Sequence, residues 1–506
     1  MTPTHTDVAI IGSGFAGLGM AIALRRSGHH DFVVLEKADG LGGTWRANHY
    51  PGCACDVPTP YYSFSFAPKP DWSRFYAPHD EIQAYMEDCC DRFGVRDHLR
   101  FGQEVTGMRW DDATQRWTVD VAGEPAVVAR VVVNAPGGLS RPAYPDVEGL
   151  GDFAGPWFHS ARWDHDVDLR GARVAVVGTG ASAIQFVPRI AKEAAHVDVF
   201  QRTPPWVLPK PDFPIPRVQQ ALHRRLPVTQ RAVRGLVWAT QEYAGLGNTR
   251  FQALTRPLES VGRAWIRRFV RDPALARQLT PDYRIGCKRL LLSNDWYATL
   301  ARENVAVVGG GIARVTARGV VTADGVEHAA DVLVFGTGFA ATDPVGDLAV
   351  VGRDGLDLRT AWADGMRAHK GTTIAGFPNF FLMPGPNTGT GHTSQVFMIE
   401  QQIAHTMLAL TRLRERGDAV IEPRPEAQAT FNRWIDRRME KTVWIRGGCS
   451  SWYLDEQGRN TTLWPASSLR FRRTLGTVVD ADYRFDAPVP TPDGTPAVPA
   501  PTEVVA

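Results

Sequence analysis

The segment "DVAIIGSGFAGLGMAIALRRSG" runs from an apolar stretch through a glycine turn into helix-spaced apolar residues. "RVAVVGTGASAIQFVPRIAKEA" does the same again, its turn beginning at Gly178 rather than Gly12. Each unit leads into a second short apolar run, "FVVLEKADG" and "HVDVFQRT". Strands buried on both faces read as continuous apolar runs, and strand–helix–strand repeats build parallel sheets with crossovers on their faces. The duplication therefore predicts an α/β chain of two doubly wound, Rossmann-like domains. With 506 residues, 44% of them apolar, the chain has the length and core material for this.

The remaining organisation follows from composition. Residues 1–150 read as the first segment of the first domain and 151–213 as the first segment of the second. Residues 214–281 are rich in Arg, Leu, Gln and Ala at helical spacing, and read as a helical insertion whose scattered arginines are solvated faces. Residues 282–330 return to the second domain and 331–485 to the first. Residues 486–506, rich in Pro and small residues, read as a disordered tail. A formal net charge of +2 gives no field for nucleic acid or an acidic membrane. No run of 18 apolar residues suggests a membrane span, and the first strand begins too early for a cleavable leader. The six cysteines (53, 55, 89, 90, 287, 449) form neither paired CxxC motifs nor a regular ladder. The expectation is a reducing, cytoplasmic location and no metal site.

The two turns carry different chemistry. Gly12, Gly14 and Gly17 form GxGxxG, in which the glycines allow a tight turn, close approach of a pyrophosphate and close helix–strand packing. Glu36 ends the next strand, where a carboxylate meets a ribose 2′-hydroxyl, so this turn reads as an adenine dinucleotide site. The second turn is Gly178-Thr179-Gly180-Ala181-Ser182-Ala183, with alanine in the third place. Gln201 replaces the acid and Arg202 follows it, with Thr203 offering a hydroxyl. Losing an acid and gaining a cation suits a 2′-phosphate, hence NADPH. Gly43, Thr44 and Trp45 lie close behind the first acidic strand, and Gly338 closes the small-residue turn of "DVLVFGTGF". Two dinucleotide sites in one chain imply electron flow from a nicotinamide to a flavin.

"FAGPWFHSARWD" sits just before the second turn. Its Phe153, Gly155, His159, Trp163 and Asp164 match FxGxxxHxxxW followed by Pro or Asp. The composition (23 Phe, 48 Gly, 14 His, 15 Trp) gives roughly two chance matches per thousand such chains. With "YPGCACD", "GCKRLLLSNDWY", "GTGF", "GPNTGTGH" and "SWY", the chain resembles the type I Baeyer–Villiger monooxygenases from Val8 to about Arg472. The resemblance implies an enzyme that uses FAD, NADPH and O₂ to insert oxygen beside a ketone carbonyl through a peroxyflavin, giving an ester or lactone. It implies Arg289 as the catalytic arginine, Asp56 as the carboxylate that positions it, and Lys288 beside Arg202 and Thr203 at the NADP phosphate. It further implies FAD contacts at Phe15, Lys37, Asp56, Tyr62, Val105 and Gly385, NADP contacts at Thr179, Ser182, Arg289 and Trp452, and a fingerprint on a linker that couples domain motion to nicotinamide position. It implies a monomer or weak homo-oligomer. Two departures stand out: "NAPGGLS" replaces the usual Ala-Thr-Gly turn, and the segment after "SWY" lacks a PGKP-like continuation. The alternatives are an N- or S-oxygenating flavin monooxygenase and, from another class, a flavoprotein disulfide reductase. Cys53-Ala-Cys55 and Cys89-Cys90 are poorly spaced for the latter. A non-catalytic binding protein would have no use for two nucleotide turns and an Arg–Asp pair.

Overall fold

The computed structural model describes residues 2–139, 141–340, 348–417, 419–451, 453–455 and 457–489. Strand β1 (Thr4–Ile11) lies between β2 (Phe32–Leu35) and β6 (Val127–Asn134), parallel to both. Val8, Ala9 and Ile10 are fully buried there, and each large apolar side chain so covered contributes about 1.5–3 kcal/mol. β3 (Leu99–Arg100) extends the sheet beyond β2. On the other side β4 (Val105–Asp111), β5 (Arg116–Val121) and β6 form an antiparallel meander, edged by Ala349–Val351. Phe380–Leu382 also pairs with β6. The first sheet is thus mixed, and its later strands come from beyond residue 348.

The second sheet is all parallel, in the order Val305–Val308, β9 (His196–Phe200), β8 (Arg173–Val177), Val332–Phe335 and β7 (Trp157–His159). Two expectations are corrected here. Val332–Phe335, placed by sequence at the start of the returning first-domain segment (331–485), pairs with β7 and β8 in the second sheet. The fingerprint is also not bare linker: Trp157–His159 is an edge strand, with His159 opposite Phe335. Residue 331 marked a gap between apolar runs, and only strand pairing decides which sheet the next run joins.

Between the strands Val207–Leu208 and Leu291–Leu292 the chain forms the helices Arg217–Arg225, Pro227–Thr249, Arg256–Phe269 and Pro273–Gln278. The tail boundary moves. Tyr483–Asp486 pairs antiparallel with Val420–Pro423, and the Val489 N–H donates to Gln115 Oε1 at 3.0 Å. Asp486 to Val489, the first residues of the expected tail, are therefore held; residues 490–506 lie outside the described residues. Among the described residues, no helix is long and apolar enough to cross a membrane.

Candidate active site

The first glycine turn is shaped by what touches it. Gly12 has φ +95°, and a Cβ there would lie 2.5 Å from the Ala135 carbonyl oxygen. A Cβ on Gly17 would lie 1.8 Å from the Gly12 oxygen, so the helix that follows, α1 (Phe15–Arg26), packs directly on the turn. Above Gly14 the space is open except for Gly43 Cα, and a Cβ on Gly43 would press on Gly14 Cα at 2.8 Å. Gly43 and Gly14 thus form a bare-backbone wall at the start of a 12-residue helix whose first turn holds no acid and no side-chain cap. That is a cradle for a pyrophosphate. The buried Glu36 accepts the Ser13 N–H and O–H at 2.8 Å and the Ala38 N–H at 2.9 Å, which fixes its carboxylate beside the turn. Lys37 next to it is exposed. Trp45 Nε1 donates to Tyr62 Oη at 3.2 Å, and Phe15 meets the Tyr62 ring edge-on at 5.4 Å. Phe15, Trp45 and Tyr62 therefore form one aromatic cluster, and Thr44 begins the short helix Thr44–Ala47 that carries Trp45. Val105 opens β4, two residues after Gln103 donates to the Glu36 carbonyl. Gly338 (φ +88°) faces open space, whereas a Cβ on Gly385 would strike the Gly371 oxygen at 2.1 Å.

The second turn repeats the design. Gly178 has φ +109°, and a Cβ there would lie 2.5 Å from the Gly336 oxygen. Ala183, in the third glycine's place, is accommodated because its neighbour across the gap is Gly336. Ser182 precedes the helix Ala183–Ile190, Gly180 is open, and Thr179 Oγ1 donates to the Thr203 carbonyl at 3.5 Å. Gln201 is spent on structure, donating to the Gln278 carbonyl. Arg202 is exposed, while Lys288 is half-buried with Nζ 5.2 Å above the Tyr283 ring. Burial and then the Arg202 charge lower the Lys288 pKa, so the two cations share one locality. That arrangement fits a phosphate dianion placed between them.

Asp56 and Arg289 meet across 233 residues. Arg289 Nε donates to Asp56 Oδ2 at 2.7 Å and its NH2 to Oδ1 at 2.8 Å, while NH1 reaches the Thr390 carbonyl at 3.4 Å. About a third of each side chain stays accessible (32% and 30%), so the pair is gripped from behind and open in front. Burial raises the Asp56 pKa, but the Arg289 charge outweighs it and the carboxyl stays below its usual range. Asp56 in turn raises the Arg289 pKa further, so the guanidinium is permanently charged.

The fingerprint residues pack in different surroundings, Phe153 in one core cluster and Trp163 in another. Phe153 packs with Val315, Leu333 and Phe335, and a Cβ on Gly155 would meet the Asp331 oxygen at 2.3 Å. His159 is fully buried, its Nδ1 accepts the Ala161 N–H at 3.1 Å, and burial lowers its pKa to about 4. It is neutral at working pH and walled by Tyr144 and Phe339. Trp163 packs against Phe186 at 5.2 Å, on the helix that begins at the second turn. Asp164 caps its own turn through the Asp166 N–H. Trp452 lies outside the described residues.

Comparison with known proteins bears on the whole chain. A family model for an NAD(P)-binding Rossmann-like domain matches residues 10–78, and one for L-lysine 6-monooxygenase/L-ornithine 5-monooxygenase matches residues 66–208. A Baeyer–Villiger monooxygenase of Streptomyces coelicolor is 49% identical over 98% of this chain and 96% of its own. One of Pseudomonas aeruginosa is 47% identical over 92% and 89%. The chain belongs to the Baeyer–Villiger monooxygenase family. Among solved structures, an oxidised steroid monooxygenase bound to NADP superposes with a TM-score of 0.86 at 32% identity. Cyclohexanone monooxygenase from Rhodococcus sp. Phi1 bound to NADP⁺ gives 0.86 at 30%. Each match covers 96% of this chain and 100% of the other. This Baeyer–Villiger enzyme is accordingly an FAD-dependent oxidoreductase that uses NADPH and O₂.

Several residues of the site escaped the sequence reading. Lys210 Nζ donates to the Cys55 carbonyl at 3.2 Å, lies 4.8 Å over the Tyr76 ring, and its charge helps hold Asp56 ionised. Tyr453 is buried beside Arg289, and burial pushes its phenol up to about 12. His392 faces Glu242 of the insertion at 3.6 Å, two residues from the carbonyl that Arg289 reaches. Lys210 had no signal beyond a basic residue near a strand end, and His392 only its place in "GPNTGTGH". The cysteines also need correcting. Cys287 and Cys449 form a disulfide across 162 residues, which removes the basis for expecting a reducing compartment. The bond ties the segment carrying Lys288 and Arg289 to the one carrying Tyr453. Cys53, Cys55, Cys89 and Cys90 are free and buried. Burial pushes the Cys53 thiol up to about 12 and that of Cys90 to about 11, so neither offers the thiolate a disulfide reductase needs.

Proposed function

We propose that the open face of the Asp56–Arg289 pair is where a ketone carbonyl is oxygenated to an ester or lactone. The observation that carries this is the bidentate grip of Asp56 on Arg289, which holds a non-titrating cation in a fixed orientation with part of its side chain accessible. FAD, when bound at the first turn, supplies the oxygen-activating redox chemistry, with electrons from NADPH. Arg289 stabilises the negative charge that develops on the carbonyl oxygen during attack, and keeps the attacking oxygen deprotonated. Asp56 fixes the guanidinium plane, and Lys210 holds the Cys55–Asp56 backbone behind it. Thr390, whose hydroxyl donates to the Thr393 carbonyl and accepts the Thr393 N–H, supports the other edge through its carbonyl. Lys288, Arg202, Thr203 and Thr179 hold the NADP phosphate; Gly178, Gly180, Ser182 and Ala183 its pyrophosphate. Phe153, Gly155, His159, Trp163 and Asp164 keep the two domains in register and do not touch substrate.

Likeness to Baeyer–Villiger monooxygenases at 47–49% identity over nearly the whole chain, against a match to the lysine/ornithine monooxygenase model over residues 66–208 alone, supports carbonyl over amine oxygenation. The test measures NADPH consumption, hydrogen peroxide and ester side by side for Arg289→Ala. FAD retention, continued NADPH consumption, peroxide release and an ester yield lower by about 10²–10³ are expected. Normal ester yield would overturn the assignment.

A further inference from the structure

Cys287 lies two residues before Arg289, and Cys449 four before Tyr453. Cys287 is fully buried and Cys449 half-buried, both in the apolar cluster that holds Trp444 and Tyr453. Their bond is not what brings the two segments together. The Arg284 N–H donates to the Gly447 carbonyl at 3.0 Å, and the Cys287 N–H closes a turn on the Arg284 carbonyl at 3.2 Å. A Cβ on Gly447 would lie 2.6 Å from Cys287 Cβ, so a bare backbone presses directly on that cysteine. With the bond open, these contacts keep the two sulfurs opposed. Gly286 (φ +89°) and Gly448 (φ +76°) flank the cysteines with backbone that turns without steric strain, so the pair can open by a local movement. The other four thiols are placed differently. Burial pushes Cys53 up to about 12 and Cys90 to about 11, and raises Cys55 and Cys89 as well, so all four stay protonated and slow to react with peroxide.

We propose that Cys287 and Cys449 form a reversible clasp that the enzyme's own hydrogen peroxide closes. This rests on the oxygenation reading above, in which O₂ that is reduced but not transferred to a ketone leaves as hydrogen peroxide. Cys449, the half-buried member, is the sulfur that peroxide reaches. An S–O bond forms there as the O–O bond breaks, the first water leaves, and Cys449 becomes a sulfenic acid. The Cys287 sulfur then attacks the Cys449 sulfur; the S–S bond forms, the S–O bond breaks and the second water leaves. The two thiols lose two electrons and the peroxide gains them. A small dithiol reverses the step by exchange, giving up two electrons and two protons and leaving as its own disulfide. When the clasp is open, the segment carrying Lys288 and Arg289 is joined to the one carrying Tyr453 by non-covalent contacts alone. The guanidinium is then less firmly placed, and more oxygen escapes transfer. When the clasp is closed, the two segments are tied and the leak falls. The leaked product thus mends the cause of the leak.

The test starts from FAD-loaded enzyme reduced with dithiothreitol, freed of it, and given NADPH in air without a ketone. Thiols counted after denaturation should fall from six to four, with Cys287 and Cys449 recovered in one cross-linked peptide by mass spectrometry. The same sample without NADPH, or with NADPH and no O₂, should keep all six over that time. With a ketone present, the closed form should release less peroxide per NADPH than the open form, by roughly two- to tenfold. Cys449→Ser should leak at one rate whether or not dithiothreitol is present. Six thiols after turnover, closure that runs as fast without NADPH, or equal peroxide from the open and closed forms would each overturn the proposal. If neither form makes ester while the bond still closes, the clasp stands and the oxygenation reading fails.

Discussion

The choice between NADPH and NADH rests on Arg202 and Lys288, and the structure sets different magnitudes for the two. Arg202 is exposed, so solvent screens its contact with a 2′-phosphate; Arg202→Ala should cost about 1–1.5 kcal/mol, roughly five- to tenfold in the Michaelis constant for NADPH. Lys288 is half-buried against Tyr283, where a charge-assisted contact is screened less; Lys288→Ala should cost about 2–3 kcal/mol, or roughly 30- to 150-fold. Neither change should move the constant for NADH by more than about twofold, because NADH has no 2′-phosphate for the cations to meet. The pH dependence adds a sign that a loss of shape would not reproduce. A lysine binds phosphate below its pKa and loses it above. Burial and the Arg202 charge lower the Lys288 pKa, so wild-type affinity for NADPH should fall at a less alkaline pH than an ordinary lysine would allow. Removing Arg202 lifts part of that depression, and the alkaline loss should move to higher pH while affinity at neutral pH drops. Steady-state kinetics with both cofactors from pH 7 to about 10.5 measures all of this. Equal losses for NADH and NADPH, or an alkaline limb that does not move in Arg202→Ala, would refute the phosphate assignment.

Two further outcomes follow from packing. Trp163→Ala and His159→Ala should retain FAD and a folded core but release more peroxide per NADPH, since Trp163 packs on the helix of the second turn and His159 closes the sheet edge; stopped-flow traces that match wild type in every step would remove the coupling role. Cys287→Ser, paired with Cys449→Ser, should lower unfolding free energy by about 3–5 kcal/mol and raise the peroxide-to-ester ratio, read by denaturant melts and product analysis; unchanged stability would show that the bond adds nothing to the fold.

The sequence by itself determined the local units. Gly12, Gly14 and Gly17 act within one turn, and so do Gly178, Gly180 and Ala183; a tight turn between a buried strand and a helix is a short-range requirement that spacing records. Glu36 against Gln201-Arg202 was legible for the same reason, since each sits a fixed distance beyond its turn. The five fingerprint residues were legible as a pattern, but not as a strand: β7 is three residues long and exists only because Val332–Phe335 lies beside it. Long-range geometry was decided by the tertiary structure alone. The Asp56–Arg289 bond spans 233 residues and the Cys287–Cys449 bond 162, and chain proximity is set by how the two sheets pack, which no local spacing encodes. Lys210 and His392 matter only through the backbone and carboxylate they meet. The helix Pro227–Thr249 shows the limit most plainly. Periodicity says that Val228, Leu236 and Tyr243 share a face, and would bury that face; the polar partners waiting on Lys69, Ser63 and Ser468 bury the opposite one. Unpaired polar groups inside cost more than apolar groups outside, and that balance is struck between elements, not within one.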